Sequence, residues 1–414
     1  MTTKKINPLA VEEPPEGKNE KEEETEGAAR EGEWSLQSQV PFKVLRGHSD
    51  AVTAARLCFN NSSVLSCSSD RSAILWDVES CRPLRVFDEL HGRTITECTL
   101  LPNSNRIVTV SWDKNMVVTD LETGQTLLQC RLGGLLTSCS SSSDGRLLVC
   151  AADPQNSIYI IDSESGQTLH HVSNHHRSTI TRCRFDSQKR VATVSADRGI
   201  KLWDLLTQKT TVSINSSHNN VVSDCCFTNN GHFLCTASWD KNLKLWDLQS
   251  GGFRSHGGTL LQSSHEGSVS SCCFSADAHL LVSGSYDRTV AFWDMSTLCQ
   301  TLILKGHTDW VTDVSFGPDK KLVASASKVY SLNPLTTSLQ DKTVRLWNIE
   351  NMEEIPEVVE KRATEEAGIH ILKCEECGKP FPVSRLQTSD LLTQCVFCRL
   401  TSPSRYRPQP PPLE

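Results

Sequence analysis

The chain has 414 residues, a net charge of −7, 18 cysteines and nine tryptophans. Length alone would allow two or three domains. No run of eighteen apolar residues occurs, so no membrane-spanning helix is expected. The N-terminus has no apolar core like that of a secretory signal. Many cysteines without such a signal point to free thiols in a reducing compartment, so an intracellular location, cytoplasmic or nuclear, is expected.

In chain order, residues 1–33 carry ten Glu against five Lys or Arg and almost no large apolar side chain. A segment that cannot bury apolar surface does not offset its ordering entropy, so residues 1–39 are expected to be a disordered acidic tail. Residues 350–366 are similarly acidic, which leaves the stretch between them close to neutral. That stretch has no bulk basic balance to attract nucleic acid.

From residue 48 onward one pattern recurs with a period near 42. It is clearest from His218 to Asp247, where short alternating strands are broken by the turn signals NNG and SWDKN. Such punctuation reads as antiparallel hairpins. A turn aspartate stands six residues before a strand position as Asp70 and Trp76, Asp113 and Thr119, Asp197 and Trp203, Asp240 and Trp246, and Asp287 and Trp293. A sixth pair, in the last unit, is Asp341 and Trp347. A histidine stands 28 residues before that position as His48, His91, His175, His218 and His265, and a hydroxyl four before the aspartate as Ser66, Thr109, Thr193, Thr236 and Ser283. Indole N–H, hydroxyl, imidazole and carboxylate in this order can satisfy one another in a buried network. A weaker unit between residues 133 and 162 offers Gly134 for the histidine and Ile161 for the tryptophan. Seven units result, and chance rarely repeats four spacings together.

These residues resemble the WD repeat, the unit of a β-propeller. The resemblance covers roughly residues 40–350 and implies an all-β, seven-bladed ring over residues 40–349, in which neighbours support the two degenerate blades. It also implies that residues 40–46, VPFKVLR, supply the outer strand of the last blade beside the strand carrying Trp347, so that no open edge is left. The seventh unit is longer, because KVYSLNPLTTSLQ (residues 328–340) splits the pattern between Ser327 and Asp341. That point is the turn between the second and third strands of the blade, where a long loop adds closure entropy only slowly. Aligned inner strands put Cys98, Cys139, Cys183, Cys225 and Cys272 at one position, with Ala55 and Val314 completing the ring. Small buried apolar packing is the expected role of these thiols.

Residues 350–368 read as a charged linker. Beyond it, Cys374-Glu-Glu-Cys377 and Cys395-Val-Phe-Cys398 stand at the spacing of a four-thiolate zinc site, so residues 369–402 are expected to form a small module on a structural zinc. About thirty residues do not fold alone without such a metal. Residues 403–414 form a Pro-rich tail in which Arg405, Pro408 and Pro411 fit a polyproline docking pattern.

No nucleophile–base set or phosphate loop accompanies the repeats, and no enzymatic activity is expected. The resemblance implies a platform, a monomeric propeller that holds protein or peptide partners. In the resembled fold the histidine loops and aspartate turns share one face of the ring. That places Trp112, Trp239 and Tyr286, each just before a turn aspartate, and Trp310 at the mouth of the channel as candidate binding residues. One alternative is a substrate receptor of a ubiquitin ligase. It is weakened because the positions that often carry Arg or Lys in such receptors hold Glu79, Leu206, Gln249, Ser296 and Glu350. Nucleic-acid binding through the zinc module would rest on Lys373, Lys379, Arg385, Arg399, Arg405 and Arg407, which are sparse and interrupted by Glu375 and Glu376. Nucleic acid is therefore not the expected partner.

Overall fold

A computed structural model describes residues 34–35, 38–262, 264–328 and 341–361, together with the backbone of two strands, Ile369–Lys373 and Pro380–Ser384. Seven four-stranded antiparallel sheets follow one another along the chain. Their inner strands are Val52–Cys58, Ile95–Leu100, Leu135–Ser141, Ile180–Phe185, Val222–Phe227, Val269–Phe274 and Trp310–Phe316. Each touches the next, and the last packs against the first, so the sheets close into a seven-bladed propeller.

The closing strand comes from the N-terminal side, as the resemblance implied. Phe42–Leu45 pairs with Val344–Asn348, with Phe42 opposite Trp347 and the two rings 5.1 Å apart. The tail boundary differs from the sequence reading. Ser35 forms a bridge with Phe42, and Lys43 lies over the Trp34 ring. Likewise Met352 and Val358, inside the supposed linker, are buried against Phe42 and Trp347. Apolar side chains at these two spots were masked by the acidic residues around them. Lys328, read as part of the insertion, ends the strand Leu322–Lys328 and pairs with Trp310; residues 329–340 lie outside the described residues.

The apolar core sits between blades, because each sheet presents both faces to neighbours. Val282, Val290 and Phe292 of blade 6 meet Val311, Val314 and Phe316 of blade 7. Trp76, Trp246, Trp293 and Trp347 are fully buried between sheets, each contributing on the order of 1.5–3 kcal/mol from burial. The cysteine ring is packed as expected: all five thiols are free and buried, and each faces the second-strand position that carries the network hydroxyl in the complete blades. Burial holds the Cys183 thiol up at about 12 and Cys225 above that, which keeps them protonated and inert.

Candidate partner-binding rim

The turns of one face are fixed by the polar sets read from the sequence. In blade 5, Trp246 Nε1 donates to Thr236 Oγ1 at 2.9 Å, Thr236 lies 2.8 Å from His218 Nε2, and His218 Nδ1 lies 2.9 Å from Asp240. A hydroxyl that accepts the indole proton gives its own to Nε2, so the imidazole proton sits on Nδ1 and points at the carboxylate. Asp240 also accepts the N–H groups of Asn219 and Asn242, which pins the loop to the turn. Burial alone would raise the Asp240 carboxyl, but the hydrogen bond from His218 and those from the Asn219 and Asn242 N–H groups together hold it below its usual range. The same chain runs through Trp76, Ser66, His48 and Asp70 in blade 1, and through Trp293, Ser283, His265 and Asp287 in blade 6.

Blade 7 keeps the full set across its insertion. Trp347 donates to Ser325 at 2.8 Å, and His307 stands 2.6 Å from Ser325 and 2.7 Å from Asp341. Blade 4 corrects the sequence reading. His176, not His175, reaches Asp197 at 3.0 Å; both imidazoles approach Thr193, at 2.9 and 3.1 Å. Two adjacent histidines made the 28-residue spacing ambiguous. His175, buried beside His176 and Lys201, is pushed down to about 3 and stays neutral. Blade 2 retains His91, Thr109 and Asp113 but has Thr119 in place of the indole, and the buried Thr119 hydroxyl has no partner among the described residues.

Two further rings escaped the sequence reading. Every inner strand carries a β-bulge at a hydroxyl residue: Thr53, Thr96, Thr137, Thr181, Ser223, Ser270 and Thr312. A bulge re-aims its side chain, and here each hydroxyl donates to a carbonyl of the next blade. Thr53 reaches Ile95 at 2.7 Å and Thr312 reaches Val52 at 2.7 Å, so the circle is complete. The signal was present as a Thr or Ser two residues before the aligned Cys, Ala or Val.

One residue further along stand Glu97, Ser138, Arg182, Asp224, Ser271 and Asp313, and with Arg56 and Arg184 two residues beyond that position they meet across the axis. Glu97 takes hydrogen bonds or ion pairs from Arg184 at 2.8 Å, Arg182 at 3.0 Å and Arg56 at 3.1 Å, and accepts from Ser138 at 2.6 Å. Arg182 also donates to Asp224 at 3.0 Å and stands 3.5 Å from Asp313, which pairs with Arg56. Ser271 sits between Asp224 and Asp313. Three cations and three anions cancel, with all seven blades contributing. Burial would raise the Glu97 carboxyl, but three guanidinium groups hold it well below the usual range.

With side chains of every blade meeting across the axis, the accessible candidate surface is the rim. There the expected aromatics fall into two groups. Trp239, Tyr286 and Trp310 form a continuous run over blades 5–7. Tyr286 stacks on Trp310 at 4.5 Å with planes 13° apart, and Trp239 stands 6.4 Å from Tyr286. Trp239 remains 41% exposed. Trp112 lies apart on blade 2, 47% exposed. Cys374, Cys377, Cys395 and Cys398 lie outside the described residues; the strands Ile369–Lys373 and Pro380–Ser384 pair on either side of residues 374–379. Among the described residues no cluster of His, Cys, Asp or Glu is arranged to hold a metal ion.

Comparison with known proteins agrees with this geometry. The family "WD domain, G-beta repeat" matches residues 39–77, 166–204, 209–247, 258–294 and 297–348, passing over the two degenerate blades. The chain is 40% identical over 168 residues to WD repeat-containing protein 88 of Homo sapiens, covering 40% of this chain and 36% of that protein. It is 27% identical over 208 residues to the U5 small nuclear ribonucleoprotein 40 kDa protein of Dictyostelium discoideum, covering 49% and 58%. With the U3 small nucleolar RNA-associated protein 15 homolog of Xenopus tropicalis it shares 24% over 176 residues, covering 42% and 34%. The chain thus spans between about a third and somewhat over half of these relatives' lengths. In fold this chain is a seven-bladed β-propeller, and five of its blades match the WD40 repeat.

Proposed function

We propose that the protein is a non-enzymatic, intracellular scaffold that holds a partner peptide or protein across the rim, anchored by Trp239 and Trp310. The observation that carries this reading is the aromatic run over blades 5–7. Trp239 is exposed, and Tyr286 and Trp310 are half-buried beside it; aromatics clustered on a rigid frame are the side chains in which interface energy concentrates, and a contiguous apolar patch on a folded surface marks an interaction site. Affinity capture with the full chain tests it. Trp239→Ala with Trp310→Ala should weaken capture by about 1–2 kcal/mol or more for each truncation, with the melting transition unchanged. Retention of the full set of partners by the double variant would refute the site.

A second reading is favoured by the names of two relatives, which are a small nuclear ribonucleoprotein component and a small nucleolar RNA-associated protein. In it, the rim partner is a protein of an RNA-containing assembly, and capture should survive nuclease treatment. Zinc on Cys374, Cys377, Cys395 and Cys398 remains part of the proposal. Elemental analysis should find one zinc per chain, lost on Cys377→Ala.

A further inference from the structure

Blade 3 is entered by a shorter path than its neighbours. Residues 132–134 join the outer strand Thr126–Arg131 of blade 2 to the inner strand Leu135–Ser141, whereas residues 88–94 enter blade 2 and residues 173–179 enter blade 4. The missing histidine loop leaves a hollow of about 470 Å³ beside the turn of blade 2, lined by Arg93, Trp112, Asp113, Lys114, Arg131 and Leu135. The single carboxylate there is turned inward. Asp113 accepts from His91 at 3.0 Å, from the Gly92 N–H at 3.0 Å and from the Asn115 N–H at 2.8 Å. Among the described residues the side chains of Arg93, Lys114 and Arg131 form no ion pair or hydrogen bond. The hollow therefore presents three unpaired cations around an exposed indole.

We propose that this hollow is a separate docking site for an acidic segment of a partner polypeptide. Its carboxylates, or a phosphoryl group on one side chain, would meet Arg93, Lys114 and Arg131, while an adjacent apolar side chain would cover Trp112. Charge-assisted hydrogen bonds from guanidinium groups to such anions are about twice as strong as neutral ones, and clustered basic side chains are a recurring way to read acidic or phosphorylated motifs. A peptide fits the charge pattern better than a nucleic-acid strand. Strand binding needs a basic groove that tracks a backbone, and the nearly balanced charge of residues 40–349 supplies no such track. The site is independent of the aromatic run over blades 5–7, so each can fail without the other.

The test is fluorescence anisotropy with the full-length chain and four labelled probes. They are a short Glu-rich peptide with one phosphoserine, the same peptide unphosphorylated, its Gln-for-Glu version, and oligouridylate of equal length. Both acidic peptides should bind in a salt-dependent manner, the phosphorylated one more tightly if a phosphoryl group is the preferred anion, and the Gln version should not bind. Arg93→Ala with Arg131→Ala should weaken binding about tenfold or more, and Lys114→Glu should do the same should the double variant fold poorly. Trp239→Ala with Trp310→Ala should leave it unchanged. Equal binding of the Gln peptide, indifference to the Arg93, Arg131 and Lys114 substitutions, or tighter binding of oligouridylate lost on the same substitutions would each overturn the proposal.

Discussion

Blade 3 keeps the length of the repeat but has lost its polar set, whereas blade 7 keeps the polar set and is interrupted by residues 329–340. In blade 3, Cys150 occupies the hydroxyl position opposite Cys139, and Ile161 stands opposite Leu148 where the indole belongs. Gly134 replaces the histidine and leaves no room for one, because a Cβ there would lie 2.4 Å from the Asp153 carbonyl. Yet the blade forms. One face packs Leu136, Leu148 and Ile161 on Val108, Val110 and Met116 of blade 2, and the other packs Val149, Ala151, Ile158 and Ile160 on Ile180, Val191 and Trp203 of blade 4. Blade 7 shows the converse, since Asp341 still reaches His307 after the insertion. Apolar faces held by neighbours make a blade; the polar set decides how firmly its turn is locked to its loop.

The comparison breaks most visibly where both blades depend on the same groups. Ser138 of blade 3 and Asp313 of blade 7 both belong to the network across the axis. Arg182→Met should cost about 3–5 kcal/mol, because it leaves buried carboxylates short of a cation. Denaturant unfolding measures this, and a loss below about 1 kcal/mol would mean that the two remaining guanidinium groups carry the network.

A smaller effect separates the blades directly. Asp341→Ala and Asp240→Ala should each cost about 1–3 kcal/mol, since each leaves a buried imidazole and turn amides without an acceptor. Asp153→Ala should cost less, because among the described residues the Asp153 carboxylate in blade 3 accepts only from Thr179, at 3.1 Å. Equal midpoints for the three variants would erase the distinction.

Acid should act through the blades that have the set. Burial depresses the His307 imidazole; burial would also raise the Asp341 carboxyl, but His307, Thr343 and Arg345 together hold it below its usual range. Below about pH 6.5 the unfolded histidines take up protons that native His307 resists, and below about pH 4 the unfolded carboxylates do the same. Stability therefore falls on acidification through both windows. His307→Gln should flatten the dependence between neutral pH and pH 5 in urea melts, and an unchanged slope would contradict this.

The smallest effect is expected for deleting residues 329–340, which keeps Lys328 in its strand and restores the spacing of the other blades. Loop-closure entropy changes by about 0.6 kcal/mol per doubling of length, so the melting point should hardly move. A large loss would show that the insertion packs on the ring.

The repeat was legible because each complete blade needs polar residue types at fixed local spacing. The degenerate blades were legible only as interruptions of that period. The axial network was not legible. Arg182 meets Glu97, Asp224 and Asp313 from three other blades, and no local pattern encodes a meeting across a closed ring. The hydroxyl circle had a local signal but no evident purpose until the bulges showed where Thr53 and its counterparts point. At the rim, the positions of Trp112, Trp239, Tyr286 and Trp310 followed from the turn aspartates. That Trp239, Tyr286 and Trp310 meet depended on how neighbouring blades bring their turns together, and the basic hollow beside Trp112 lies at the shortened entry to blade 3.

The pairing of Phe42–Leu45 with Val344–Asn348 has a consequence for synthesis. The first strand leaves the ribosome long before its partner, and at ordinary elongation rates the wait is roughly 15–60 s. During that interval Phe42, Val44 and Leu45 face every other unpaired edge in reach, and the seventh sheet cannot be completed. The seam is the last part of the ring to be secured. It is also where a pull on the N-terminal end would first open it.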